Sequence, residues 1–202
     1  MNKMHVTTGT GVIAQRGLTL VELMMVLAVM AVLLTVGVPT FQNTVKNNRL
    51  SAELSALRAT LANARSEAMA RRLPVRVCES TNGTSCSSTN EFSDGYIAYA
   101  DENNDDVVSA GEDVFLSLQL IVPESFSIEL RDATGTVASS VRFGSRGDSV
   151  GSSGTFTFCD DRGATYAGAL ILSPSGSVRG ATDTDSTEDG IVNGLGGANV
   201  SC

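Results

Sequence analysis

One uninterrupted apolar run limits what this chain can become more than any other feature. Residues 18–38 read LTLVELMMVLAVMAVLLTVGV, 21 residues with a single charge, Glu22. About 20 apolar residues cross a bilayer as a helix, so residues 18–38 are predicted to span a membrane. An ordinary secretory signal has a shorter apolar core that ends in a small-residue cleavage site, and this run does not. Residues 1–17 carry Lys3 and Arg16 and no acid, and are too polar for a folded element. A basic leader ahead of the span and an acidic part beyond it predict a cytoplasmic N-terminus, with everything after the span on the other side.

Charge is divided sharply along the remainder. Seven basic residues (Lys46, Arg49, Arg58, Arg65, Arg71, Arg72, Arg76) face only Glu53 and Glu67 between Lys46 and Arg76. From Cys78 onward five arginines stand against 19 acids, a net charge of −14. So acidic a region repels phosphate backbones unless a local basic patch overrides the field, which argues against general nucleic-acid binding. All four cysteines (Cys78, Cys86, Cys159, Cys202) lie in this acidic part, and the only histidine is His5. An even count without histidine argues against zinc and for two disulfides in an oxidising compartment, with buried free thiols the alternative. Three connectivities are open. Cys78–Cys86, closing a short polar loop, with Cys159–Cys202, pinning the C-terminus to a strand, is the favoured one.

Helical periodicity resumes after Pro39. Leu50, Leu54, Leu57, Leu61, Ala64 and Ala68 form one apolar stripe at 3–4 spacing, while Arg58, Arg65 and Arg72 recur on another face. Pro74 bounds the segment, so residues 39–73 are predicted as an amphipathic helix continuous with the span. Helix from 18 to 72 would be roughly 80 Å long at ~1.5 Å per residue. Beyond Pro74 the pattern changes to short runs rich in β-branched and aromatic residues: 75–78, 95–100, 114–122, 126–130, 141–143, 155–159 and 169–172. Gly, Asn, Asp and Ser clusters separate them. The expectation for residues 74–202 is one mainly antiparallel sheet packed on the helix, with a hairpin over 169–179. The acidic, Gly-rich tail after Gly180 is expected to be irregular until Cys202 fixes it.

Residues 16–22 (RGLTLVE) place Gly17 directly before the span and a lone carboxylate, Glu22, five residues beyond that glycine. This resembles the prepilin motif, in which an aspartic peptidase cuts after Gly and methylates the new N-terminus. The resemblance implies cleavage between Gly17 and Leu18, N-methylation of Leu18, and a register role for Glu22, whose partner would be a neighbouring subunit's free amine. Leu18 stands where Phe is more usual in that family. Pro39 falls where type IV pilins often place a helix-kinking proline. A carboxylate at membrane depth is costly without a partner, which is the physical reason for such pairing.

The mature chain also resembles the FimT/GspH-type minor pseudopilins, on NNRL (47–50), ARSEAMARRLPV (64–75), the Cys78/Cys86 loop, Gly95-Tyr96-Ile97, Phe158-Cys159-Asp160 and SPSG (173–176). The resemblance implies an α+β, pilin-like lollipop in which a long N-terminal helix is packed on a mainly antiparallel β-rich head. It implies a structural subunit of a type IV pilus or type II secretion pseudopilus, held in the bacterial inner membrane and then in the fibre. Its partners would be other pilins or pseudopilins, the prepilin peptidase and an inner-membrane assembly platform. One branch binds DNA at a fibre tip through Gly-Arg-x-Arg after SPS. Here Gly176-Ser177-Val178-Arg179 keeps only Arg179, to be helped by Arg142, Arg146 or Arg162, so DNA capture is the alternative reading.

Asp101, Asn103, Asp105 and Glu112 occupy positions 1, 3, 5 and 12 of a calcium-loop pattern. The sixth position is Asp106 instead of the turn-forming Gly, and the flanks read as strands. A solvated turn is the favoured reading, with calcium the alternative and no other cofactor called for. Asp183, Asp185, Glu188 and Asp189 form a second acidic cluster with a weaker pattern. No histidine follows the leader, no Gly-rich phosphate loop opens a helix, and Asp160-Asp161 diverge on a strand end. The chain is not expected to be an enzyme.

Overall fold

A computed structural model describes residues 19–89, 91–187 and 189–202. The chain divides into two compact units, Met1–Val45 and Lys46–Cys202.

In the first unit the helix α1 (Leu20–Arg71) begins. Thr19 caps it: its Oγ1 accepts the Glu22 amide at 3.2 Å, and its carbonyl accepts the Leu23 amide at 3.1 Å. Glu22 lies in the first turn, where the helix dipole favours a negative charge. Thr35 and Thr44 turn their hydroxyls back onto the carbonyls of Val32 and Thr40, which satisfies polar groups locally in an apolar stretch. Leu20, Leu23, Leu27, Met30 and Leu33 are all exposed, and α1 is the helix long and apolar enough to cross a membrane. Pro39 lies inside α1. Having no N–H, it cannot close the bond to the Thr35 carbonyl, which makes this the turn where bending costs least.

In the second unit the remainder of α1 supplies one wall of the core. Leu57, Leu61, Ala64 and Ala68 are fully buried, and Leu50 and Leu54 pack partly against them. Burying each leucine contributes on the order of 2 kcal/mol. The two alanines, having almost no side chain, let the opposing strands come close.

Those strands form two four-stranded antiparallel sheets where one was expected. The first sheet contains β1 (Val75–Glu79), β2 (Gly95–Ala100), β3 (Val114–Gln119) and β5 (Ser140–Phe143), in the order β3-β2-β1-β5. The second contains β4 (Ser127–Asp132), β6 (Gly154–Cys159), β7 (Gly168–Leu172) and β8 (Val178–Gly180), in the order β4-β6-β7-β8. The chain crosses between sheets after β3, β4 and β5. Local alternation marks a strand but not which sheet it joins, so the division was not legible. Inward residues of both sheets (Val77, Tyr96, Ala98, Ile128, Phe143, Phe156, Phe158, Leu170) share one core with the helix.

One inner strand of each sheet, β2 in the first and β6 in the second, is buried on both faces. On β2, Ile97 and Tyr99 turn away from the helix and are covered with Cys78, Cys86, Val108 and Val114. Burial pushes the Tyr99 hydroxyl up to about 12. On β6, the outward Cys159 joins Ala167, Ala169, Ile191, Val192 and Val200 in a small cluster. The described residues of the C-terminal tail are irregular after Gly180, as expected, with Cys202 bonded to Cys159, yet they pack as a layer over the second sheet. Asn193, almost fully buried, organises it: its Oδ1 accepts the amides of Thr184 and Asp185, and its Nδ2 donates to the Gly197 carbonyl and Asn199 Oδ1.

Candidate functional site

The predicted cleavage and methylation positions, Gly17 and Leu18, lie outside the described residues, as does His5. Glu22 is exposed one turn into α1, with its amide held by Thr19. The Thr19-x-x-Glu22 spacing is a capping signature that could have been read from the sequence.

The calcium-like loop converges as its spacing suggests. One carboxylate oxygen from each of Asp101, Asp105 and Glu112 lies within 4.8 Å of the others. Asp106, at the sixth position, itself takes a left-handed conformation (φ 69°), as does Asn104 (φ 59°). Asp and Asn tolerate that region better than most residues, so the turn forms without glycine. The carboxylates are also engaged internally. Asp101, fully buried, receives Arg76 Nε at 3.0 Å and the Asp105 amide at 3.1 Å, and Arg76 Nη2 reaches Asp106. Glu112 accepts the amides of Glu102 and Ser109 at 3.0 and 2.8 Å. The Ser109 hydroxyl and the Val107 amide hold the Asp105 carboxyl below the usual range. Asn103 Nδ2 donates to Asp105 Oδ2 at 2.8 Å. The arrangement offers hard oxygen donors, and Arg76 supplies a cation at its rim. In the second cluster, carboxylate oxygens of Asp183, Asp185 and Asp189 also converge within 4.8 Å. Glu188 lies outside the described residues.

Sequence segments far apart meet at two places on α1. Arg65 donates from Nε to the Gly147 carbonyl at 2.9 Å and from Nη2 to the Ser175 carbonyl at 3.0 Å, tying the Ser173–Gly176 turn to the helix. Sequence reading placed Arg65 on a polar face and did not give it this role. At the other end Asn47 accepts Arg162 Nη1 at 2.7 Å, Arg162 Nη2 bonds Asp160 at 2.6 Å, and Lys46 pairs with Asp161 at 2.7 Å. Arg162 holds the Asp160 carboxyl below its ordinary value.

The family model for "Type II transport protein GspH" matches residues 53–176, more than half of the chain. The chain belongs to this family. The model for the prokaryotic N-terminal methylation motif matches residues 13–38. No curated protein matches the GspH-family chain significantly. Among solved structures, it is similar to the type IV minor pilin FimU of Pseudomonas aeruginosa in one crystal form, with 18% identity and a TM-score of 0.50 over 71% of this chain and 93% of that one. A second crystal form of the same protein gives 17% identity and a TM-score of 0.46 over 69% and 95%. At this identity the likeness is one of fold: a long N-terminal helix with an antiparallel β head.

This GspH-family subunit is thus a minor pilin or pseudopilin of the type IV pilus and type II secretion pseudopilus class, a structural protein and not an enzyme. Its apolar N-terminal helix and methylation motif support a single-pass inner-membrane topology. Its cysteines are paired Cys78–Cys86 and Cys159–Cys202, eight and 43 residues apart. Arg179, the family-derived DNA contact, is exposed on β8 opposite Ile171. Of the arginines proposed to assist it, Arg142 is on β5 of the other sheet, Arg162 is held by Asp160 and Asn47, and Arg146 precedes Gly147, whose carbonyl lies against Gly176 in the turn ahead of β8.

Proposed function

We propose that this subunit is made as a precursor, cut between Gly17 and Leu18, methylated on the new Leu18 amine, and docked by its helix among other pilin-like helices. The prepilin peptidase, neighbouring pilins or pseudopilins and the inner-membrane assembly platform are its partners. Its N-terminus starts in the cytoplasm and its disulfide-bonded head lies in the periplasm, until assembly moves the subunit into the fibre. Within the fibre Glu22 pairs with a neighbour's amine and sets the stagger, and the turn at Pro39 lets the helix bend.

One observation carries this reading: the methylation-motif match over residues 13–38 contains the Gly17–Leu18 junction, Glu22 and the apolar run together. A carboxylate in that run needs a partner to offset the cost of its depth in the membrane, and an amine freed by cleavage supplies one. In the native host, Glu22→Ala should leave insertion and leader removal intact while abolishing co-purification with partner pilins. Normal co-purification would refute the register role. Deletion of the gene then distinguishes the machine. Loss of sheared surface pilin restored by complementation identifies a pilus subunit, and lost exoprotein secretion with intact pili identifies a pseudopilus subunit.

A further inference from the structure

The outer face of the second sheet carries a cleft of about 320 Å3 between the turn after β4 and the C-terminal tail. Its floor follows from strand alternation. Phe156 and Phe158 point into the core, so Thr155 and Thr157 on the same strand face outward. Both are more than nine-tenths buried, at 7% and 5% exposure. Thr155 is covered by the tail, and its Oγ1 accepts the Leu195 amide at 2.7 Å. The Thr157 side chain lines the same cleft, and its hydroxyl has no hydrogen-bond partner among the described residues. A hydroxyl this far from solvent ordinarily has a partner, so this one is placed to bond whatever enters the cleft.

Both walls are held in place from within the head. On one side Asp132 Oδ1 accepts the Thr134 amide and hydroxyl at 2.8 and 2.7 Å and the Thr136 amide at 2.9 Å, which fixes the turn. On the other, Asn193 Nδ2 donates to the Gly197 carbonyl and Asn199 Oδ1, and the Val200 amide bonds the Val192 carbonyl. Cys202 then ties the end of that wall to Cys159. A pre-formed cavity costs a ligand less ordering on entry. This one is at the small end of the range that holds organic ligands, about 300–1,000 Å3.

The lining selects the ligand's chemistry. Arg131 at the rim is neutralised by Glu129 at 2.5 Å and donates to the Gly135 carbonyl at 3.0 Å, and the neighbouring Asp132 carboxylate repels anions. Asp132 is the one acid among the described lining residues, too few for a metal ion. No aromatic side chain lines the cleft among the described residues, so a nucleobase or flat cofactor finds no stacking surface. Strand addition is closed off as well: on the edge of β4 the Leu130 carbonyl and the Asp132 amide already bond Ala138 and Thr136. The lining suits a neutral ligand that both donates and accepts hydrogen bonds and has aliphatic C–H faces. Thr157 and Ser201 supply hydroxyls, and Leu195, Ala198 and Val200 supply an aliphatic wall.

We propose that this cleft is a binding site for a small neutral saccharide, one or two sugar rings in length, with the Thr157 hydroxyl as the bond at its floor. Sugar hydroxyls donate and accept in the same place, and the C–H groups of the ring pack on the aliphatic wall. The site lies wholly within residues 131–201, so it is independent of the membrane-spanning reading of residues 18–38 and of the register role of Glu22.

The test uses the full-length protein in lauryldimethylamine oxide micelles, because maltoside detergents are themselves saccharides. Saturation-transfer NMR would be recorded with maltose, lactose and N,N′-diacetylchitobiose, and separately with inorganic phosphate and an acetylated, amidated tetraglycine, each at roughly 1–10 mM. At least one disaccharide should show transfer in the parent. Thr157→Val keeps the side chain's shape and removes its hydroxyl, and should weaken binding by at least about fivefold. Thr157→Ser restores a hydroxyl and should recover most of the affinity, with melting temperatures checking that each variant is folded. Absence of transfer from all three disaccharides overturns the proposal, and so does binding that Thr157→Val leaves unchanged. Transfer from tetraglycine or phosphate alone assigns the cleft to a peptide or an anion, and overturns it too.

Discussion

Arg65 Nε and the Gly147 carbonyl are 2.9 Å apart across 82 residues of sequence, and this bond holds the end of the β-rich head to its helix. Because the same guanidinium reaches the Ser175 carbonyl, one side chain fixes two turns. A planar fork can serve both acceptors, whereas an ammonium is a point charge. Arg65→Ala should cost about 2–3 kcal/mol, since charged hydrogen bonds are lost and partly buried carbonyls go unpaired. Arg65→Lys should recover less than half of that. Thermal melts of the full-length protein in detergent would measure both, and an unchanged melting temperature in Arg65→Ala would show that the turns hold without it.

Gly176 stands at φ 76° in the Ser173–Gly176 turn, and an added Cβ would sit well inside van der Waals contact with the Gly147 carbonyl oxygen. Both backbone strain and a clash with rigid main chain oppose any side chain there. Gly176→Ala should destabilise the head by at least about 2 kcal/mol. Gly180→Ala, where a Cβ meets nothing within 4 Å, should stay within about 0.5 kcal/mol of the parent. Equal melting temperatures for the two variants would contradict the close approach.

The two disulfides should differ in weight. By the chain-entropy estimate a 43-residue closure is worth about 4 kcal/mol and an eight-residue one about 2.5 kcal/mol. Cys202→Ser also releases the layer over β6, where Cys159, Val192 and Val200 pack together. The double substitution Cys159→Ser/Cys202→Ser should therefore lower the denaturation midpoint more than Cys78→Ser/Cys86→Ser does. The reverse order would mean that the tail holds by its own hydrogen bonds.

Acid should weaken the Lys46 end of the head in a defined window. Arg162 depresses the Asp160 carboxyl in the folded state, so its stabilisation is complete above the unfolded value of about 3.9 and is lost as pH falls through the lower folded value. Asp160→Asn should cost about 2 kcal/mol near neutral pH, from weakened charged hydrogen bonds. The gap between variant and parent should narrow steadily below about pH 4. Denaturant titrations at a series of pH values would check this, and a gap independent of pH would remove the ion pair as its cause.

Much of the strand content was legible because the runs are local. Gly95–Ala100 was marked by its composition to the residue, and its unbroken burial reflects an apolar run covered on both faces. Thr155–Cys159 and Val141–Phe143 were each short by one residue at the start, where Gly154 and Ser140 lack a strand-forming side chain. The run 114–122 was read too long. Its last three residues leave the sheet, and Ile121 at their centre faces outward.

The sequence by itself determined whatever depends on order along the chain: the apolar span with its lone Glu22, the buried helix stripe, and an even cysteine count that calls for two disulfides while leaving their pairing to the fold. These signals are local or covalent, so no knowledge of distant neighbours is needed to read them. Tertiary structure alone decided that the strands divide into two sheets, and that the tail becomes a layer organised by Asn193. It also decided that Arg65 clamps two turns and that Arg76 closes the acidic loop. Each of these depends on which distant groups the core brings within about 3 Å, and hydrogen-bond partners at that range leave no periodic trace in sequence.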